Sequence, residues 1–152
     1  MNEQVQTYGL YAAWLVAIVA TLGSLYYSEV RLFVPCTFCW YQRIFMYPLV
    51  LLLGVATFTK DKGVVKYALP LALIGLGFAG YHVLEQNVPG FGAPALCKAG
   101  VPCSVKYVNY LGFISIPVMA FTAFSLISLT LAALHYVKPK ERDVFATEYD
   151  VR

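Results

Sequence analysis

The sequence predicts an all-α membrane protein, a bundle of four transmembrane helices with two extracytoplasmic loops that contain cysteines. Three observations predict it. Of the 152 residues, 60% are hydrophobic and only 12% are charged, about half the charged share of a soluble domain. The few charges leave four long uncharged stretches between them. All four cysteines fall between those stretches, in two pairs. A single domain spans residues 1–152, with no linker or repeat, and a scattered net charge of +3 excludes a nucleic-acid surface.

Glu3 and Glu29 bracket 25 uncharged residues, Arg43 and Lys60 bracket 16, Lys66 and Glu85 bracket 18, and Lys106 and Lys138 bracket 31. A helix needs about 20 apolar residues to cross about 30 Å of hydrocarbon. The first span is placed at residues 8–27. It is too long for a cleavable signal segment and only Glu3 precedes it, so it stays in the protein. The second, residues 40–58, takes in Arg43 at its outer end to reach sufficient length, and Pro48 is expected to kink it. The third runs over residues 67–84, with Pro70 in its opening turn. In the fourth stretch Ser115 is read as the N-cap and Pro117 as a first-turn residue of a span ending at Tyr136. Gly75 and Ala79, one turn apart with Gly77 and Gly80 nearby, offer a face for close helix packing.

The loops set the orientation. Lys60, Lys62 and Lys66 follow span two, and Lys138, Lys140 and Arg142 follow span four, against Arg31, Arg43, Lys98 and Lys106 in the other two connections. Positive charge concentrates on the cytoplasmic side, so both termini, the middle loop and the tail of residues 137–152 are read as cytoplasmic. Loops 28–39 and 85–114 then face outward and hold Cys36, Cys39, Cys97 and Cys103 where disulfides persist. Transport is a poor fit, because only Arg43, His82 and His135 bring ionisable groups near the hydrocarbon, all at span ends.

The chemistry concentrates in Pro35-Cys36-Thr37-Phe38-Cys39-Trp40-Tyr41-Gln42-Arg43. A Cys-x-x-Cys at a helix start brings two sulfurs within bridging reach, and the helix N-terminus favours the thiolate. Zinc bound by Cys36, Cys39, Cys97 and Cys103 is the competing use of the same thiols. Oxidising surroundings and the wide second spacing argue against it, and no metal is expected. Arg43, four residues after Cys39, stands on the same helix face about 6 Å along. There it can hydrogen-bond a carbonyl of a lipid-soluble acceptor such as a quinone, or snorkel to headgroups. Trp40, Tyr41, Phe45 and Tyr47 read as an aromatic belt or as walls of a ring-shaped pocket. His82 is either an interfacial polar residue or a second donor to that ring. Cys97 and Cys103 close a seven-residue loop, worth about 2 kcal/mol by chain entropy, with Gly100 and Pro102 supplying the turn. That pair either stiffens the loop or exchanges with a partner and with the first pair.

Four spans, Cys36/Cys39 running into Trp40-Tyr41-Gln42-Arg43, His82 in Tyr81-His82-Val83-Leu84-Glu85-Gln86, the second cysteine pair, and Tyr110-Leu111-Gly112 ahead of Pro117 together resemble the disulfide bond formation protein B family, DsbB-like, in its short BdbC form. The resemblance covers nearly the whole chain. It implies a membrane oxidase that takes electrons from an extracytoplasmic thioredoxin-like thiol oxidase (DsbA/BdbD-like) and passes them to membrane quinone of the ubiquinone or menaquinone type. On this resemblance, Cys97 is attacked by the partner and Cys103 resolves. Cys36 exchanges with Cys103, Cys39 engages the quinone, and Arg43 and His82 hold and polarise it. In longer members an amphipathic segment separates the second pair, and five residues here leave no room for one. Such a partner, at about −120 mV, cannot be kept oxidised by a structural disulfide near −300 mV, so an external acceptor is required.

Two other readings compete. A vitamin K epoxide reductase-like enzyme also joins thiols to quinone, but carries its Cys-x-x-Cys near the last span. The other is a non-enzymatic scaffold or metal-binding protein with structural cysteines.

Overall fold

Each long uncharged stretch forms one helix. The computed structural model describes residues 2–88, 90 and 101–136; Cys97, Lys98, Gly100 and the tail of residues 137–152 lie outside the described residues. Helix α1 spans Asn2–Leu25 and continues through a π-helical turn, Tyr26–Val30. Helix α2 is Thr37–Thr59, α3 is Val65–Asn87 after a short 3₁₀ turn at Lys62–Val64, and α4 is Ile116–Tyr136. All four are long and apolar enough to cross a bilayer, and this is a multi-pass membrane protein.

The ends follow from local chemistry. Helix α2 closes on Lys60, which takes the left-handed conformation at φ 55°, and Asp61 then accepts the Gly63 N–H at 2.7 Å to start the turn into α3. Because α3 begins at Val65, Pro70 lies inside the helix rather than in its opening turn. Helix α2 likewise runs unbroken through Pro48. Ahead of α4, Tyr110 and Ile114 pair as an antiparallel bridge. The chain reverses there through left-handed Leu111 and Gly112, the latter at φ 83°. The Ser115 carbonyl accepts the Met119 N–H at 3.0 Å, opening α4 with Pro117 in its first turn.

The helices form a ring in which α1 packs on α2 and α4, and α3 also packs on α2 and α4. Leu49 and Leu53 of α2, Ala68 and Ala72 of α3, and Phe124, Ile127 and Leu131 of α4 are fully buried at its centre. Leu15, Val19, Leu51, Phe58 and Leu129 face outward, exposed, which costs nothing when the surroundings are lipid. Lipid is as apolar as these side chains, so helix contact depends on fit. The small residues supply it: Gly75 of α3 lies directly against the Phe124 ring, and Gly54 of α2 against the Trp14 indole of α1.

A methyl group at Gly75 has no room beside Phe124, whereas a Cβ at Gly77 meets nothing within 4 Å. Gly75→Ala is therefore expected to destabilise the bundle by about 1–3 kcal/mol, read as a lower thermal midpoint in detergent. Gly77→Ala should leave the midpoint unchanged or raised. Equal behaviour of the two variants would contradict the α3–α4 contact.

Candidate active site at the start of the second helix

Pro35 leads into Cys36, whose backbone is extended at φ −72°, ψ 171°, making it the N-cap of α2. Its sulfur accepts the Cys39 backbone N–H at 3.4 Å and its carbonyl accepts the Trp40 N–H at 3.2 Å. A cysteine thus takes the capping role usually filled by Ser, Thr, Asp or Asn. One turn suffices to bring the two sulfurs within 2.8 Å of each other, both as free thiols, with Cys36 buried and Cys39 half-buried. The Cys39 thiol donates to Cys36 and, with His82 beside it, holds the Cys36 thiol well below the usual thiol range, against the opposing effect of burial. Cys36 is the anionic sulfur of the pair.

His82, on α3, is 1% exposed. Its Nε2 lies 3.7 Å from the Cys36 sulfur and 3.2 Å from the Cys103 carbonyl, and its Nδ1 lies 3.2 Å from Gln42 Nε2. A carbonyl only accepts, so Nε2 carries the proton and Nδ1 accepts from the Gln42 amide. One turn further along α3, Gln86 donates to the carbonyls of Cys103 at 3.3 Å and Val105 at 3.2 Å. His82 and Gln86 of α3 therefore hold Cys103 against the first pair, and Asn87 accepts from Lys106 Nζ at 3.0 Å further along the same loop. Cys103 is disulfide-bonded and fully buried. It shares an apolar cluster with Cys36 and Phe38, against which Cys39, Phe78 and Tyr81 pack.

Arg43 is one turn deeper than Cys39. Its Nε donates to the Ser24 hydroxyl at 2.9 Å and its Nη2 to the Ser24 carbonyl at 3.0 Å, while the guanidinium carbon lies 5.4 Å from the Trp40 ring centroid. The side chain is pinned between α1 and α2 rather than snorkelling. A cavity of about 1130 Å³ opens beside it, lined by Cys36, Cys39, Gln42, Arg43, Tyr47 and His82 and walled by apolar residues such as Met46, Met119 and Ala123. The Tyr47 hydroxyl is buried there without a partner among the described residues. The cavity is ample for a ring-bearing ligand, and Arg43 and that orphan hydroxyl are suited to its carbonyl oxygens, whereas both His82 nitrogens are engaged by Gln42, Cys36 and the Cys103 carbonyl.

Of the residues singled out from the sequence, Cys36, Cys39, His82 and Cys103 meet at one point and Arg43 faces the same cavity. Cys97 lies outside the described residues. Among the four aromatics only Tyr47 lines the cavity. Tyr41 and Phe45 stack on Phe78 of α3, with ring centroids 5.2 and 5.5 Å away, and Trp40 covers Arg43. Gln42, Gln86 and Ser24 had no role assigned from the sequence. Their one signal was polarity inside apolar spans for Ser24 and Gln42, and for Gln86 its place four residues after His82.

Residues 6–134 match the family described as disulfide bond formation protein DsbB. The chain belongs to that family. It is 57% identical to disulfide bond formation protein C of Bacillus subtilis over 82% of this chain and 91% of that protein. It is 44% identical to a probable disulfide formation protein C 1 of Bacillus anthracis, over 93% of this chain and 99% of the relative. A probable disulfide formation protein of Coxiella burnetii is 46% identical over 90% of this chain and 93% of its own length. No solved structure matches. Family membership makes this a membrane thiol–disulfide oxidoreductase that generates disulfides and acts with a thiol–disulfide partner protein.

With Cys36 held anionic by the Cys39 thiol, alkylation of reduced Cys36 is expected to remain fast below neutral pH. Cys39→Ala removes that donor and moves the midpoint upward. Below the midpoint each unit costs about tenfold in thiolate, so Cys36 labelling should fall at least tenfold near pH 6 and converge with wild type under alkaline conditions. Peptide mass analysis after a pH series of iodoacetamide pulses checks this. Identical profiles would contradict the assignment.

Proposed function

We propose that the protein reoxidises an extracytoplasmic thioredoxin-like thiol oxidase and passes the electrons to membrane quinone, supporting disulfide formation in exported proteins. The observation that carries this reading is the shared cavity: the Cys36/Cys39 pair, the Cys103 loop and Arg43 all border one apolar space inside a membrane bundle. The cysteine loops are placed on the extracytoplasmic side and both termini in the cytoplasm, on the distribution of Lys and Arg.

The partner's thiolate attacks Cys97 and expels Cys103 as a thiolate, and the partner's second thiol then displaces Cys97, leaving the partner oxidised and Cys97 and Cys103 reduced. The Cys103 thiolate attacks the Cys36–Cys39 disulfide at Cys36 and expels Cys39; Cys97 then attacks Cys103, which re-forms the Cys97–Cys103 disulfide and leaves the two electrons on the Cys36/Cys39 dithiol. His82 donates its Nε2 proton toward the Cys36 sulfur and stabilises the charge that develops on it, while Gln42 fixes the imidazole tautomer. Gln86 keeps the Cys103 backbone in register for the attack. A bound quinone supplies a two-electron, two-proton acceptor. Arg43, braced by Ser24, would donate a hydrogen bond to an acceptor oxygen, and the apolar walls would exclude water from the Cys39 sulfur. Such an acceptor dissolves in the bilayer, which accounts for a catalyst built inside the membrane.

Arg43→Lys keeps a positive charge but loses the planar fork. A charge-assisted hydrogen bond contributes about 1.5–3 kcal/mol, so quinone reduction is expected to fall by about tenfold to 150-fold. Single-turnover exchange with a reduced thioredoxin-like dithiol should persist, since the hydrogen bonds that hold the Cys103 backbone come from His82 and Gln86. Quinone reduction followed against quinone concentration for both proteins tests this. Unchanged quinone kinetics would remove Arg43 from the electron-accepting step, and absence of quinone reduction by wild type would overturn the proposed function.

A further inference from the structure

The three ligand atoms of Cys36, Cys39 and His82 lie within 4.8 Å of one another. Two sulfurs and one imidazole nitrogen with an open fourth position make a Cys₂His set, known from catalytic zinc sites. With Zn–S near 2.3 Å and Zn–N near 2.1 Å, tetrahedral geometry separates a sulfur from a nitrogen by about 3.6 Å and two sulfurs by about 3.8 Å. Cys36 Sγ and His82 Nε2 already stand 3.7 Å apart. The two sulfurs, at 2.8 Å, must open by about 1 Å to reach that separation. Cys39 has room to do so, because it is only half-buried and borders the cavity.

Two further features fit an ion. A metal-bound histidine characteristically has its other nitrogen hydrogen-bonded, and Gln42 already sits 3.2 Å from Nδ1. The Gln42 amide carries both a donor and an acceptor, so turning it end over end suits the tautomer protonated at Nδ1. The fourth position opens into the cavity, where a water or chloride completes the tetrahedron. This set differs from a four-cysteine site: Cys103 meets His82 through its backbone carbonyl and its sulfur is in a disulfide.

We infer that Cys36, Cys39 and His82, whenever both sulfurs are reduced, bind a soft or borderline d¹⁰ cation such as Zn²⁺ or Cd²⁺, which withholds the pair from oxidation. The inference deepens the redox reading of this same site by adding a regulation to it. Two metal–sulfur bonds and one metal–nitrogen bond form, and the protons held by the sulfurs leave to solvent. The imidazole proton moves from Nε2 to Nδ1, and no electron is transferred. The oxidised pair has no thiolate to offer and binds nothing. Occupation also takes Nε2 away from the Cys103 carbonyl, which Gln86 still holds at 3.3 Å.

The test uses full-length protein in detergent carrying Cys97→Ser and Cys103→Ser, so that only Cys36 and Cys39 titrate. Cadmium chloride is the probe, followed by thiolate-to-cadmium absorbance, with zinc chloride measured by competition against a chromophoric chelator. The reduced protein is expected to bind one ion and the oxidised protein none. His82→Ala and His82→Gln should each weaken binding at least tenfold, and Gln42→Leu by about 10–100-fold. The cadmium NMR resonance of the unsubstituted pair should report two sulfurs and one nitrogen, a readout that needs no variant to fold. Affinity undiminished by both His82 substitutions, a resonance with sulfur ligation only, or binding that ignores the redox state would overturn the inference. Wild type is assayed in parallel for partner dithiol oxidation. Oxidation without metal binding defeats the inference alone, and metal binding without oxidation defeats the redox reading alone.

Discussion

One buried imidazole joins the two halves of the site. His82 Nε2 faces both the Cys36 sulfur, at 3.7 Å, and the Cys103 carbonyl, at 3.2 Å. Burying an imidazole is costly unless its nitrogens are paired, and here Gln42 satisfies the other one. That requirement places three elements together: the first turn of α2, the C-terminal end of α3, and the loop ahead of α4. The ring order of the helices and the close α3–α4 contact at Gly75 hold α3 where its His82 and Gln86 can reach across.

The N-cap geometry of Cys36 does the rest locally. Its extended backbone lets the sulfur accept the Cys39 N–H, so the partial positive charge of the helix end favours an anionic sulfur there. The same spacing sends Cys39 one turn inward, onto the cavity that Arg43 borders. One short turn thereby gives the two cysteines different surroundings: Cys36 faces the loop cysteine and Cys39 faces the lipid-side space. The proposed relay needs that division, because in it one sulfur meets a protein and the other an acceptor from the bilayer.

Much of this was legible in the sequence. Long uncharged stretches, the Cys-x-x-Cys at a helix start, and Arg43 one turn on are local patterns, and local patterns survive folding. The helix ends were less legible. Helix α3 starts at Val65 because Asp61 and the Lys62–Val64 turn feed directly into it, which put Pro70 inside the helix. The contacts between helices were not legible at all. Nothing in the spacing shows that Arg43 would be braced by Ser24, 19 residues away, or that Gln42 would meet His82, 40 residues away. The aromatic run Trp40, Tyr41, Phe45 and Tyr47 reads as one belt, yet helical rotation sends Tyr41 and Phe45 toward α3 and Tyr47 toward the cavity.

The central claim is that the Cys36/Cys39 pair meets Cys103 at His82, and the exchange proposed there is between Cys36 and Cys103. The most direct measurement removes the other two. In a Cys39→Ala, Cys97→Ala protein, Cys36 and Cys103 are the only cysteines left, and mild oxidation in detergent or membranes should join them within one chain. Peptide mass analysis of the unreduced digest would show that crosslink in the monomer. Two free thiols after oxidation, or crosslinks only between separate chains, would contradict the account.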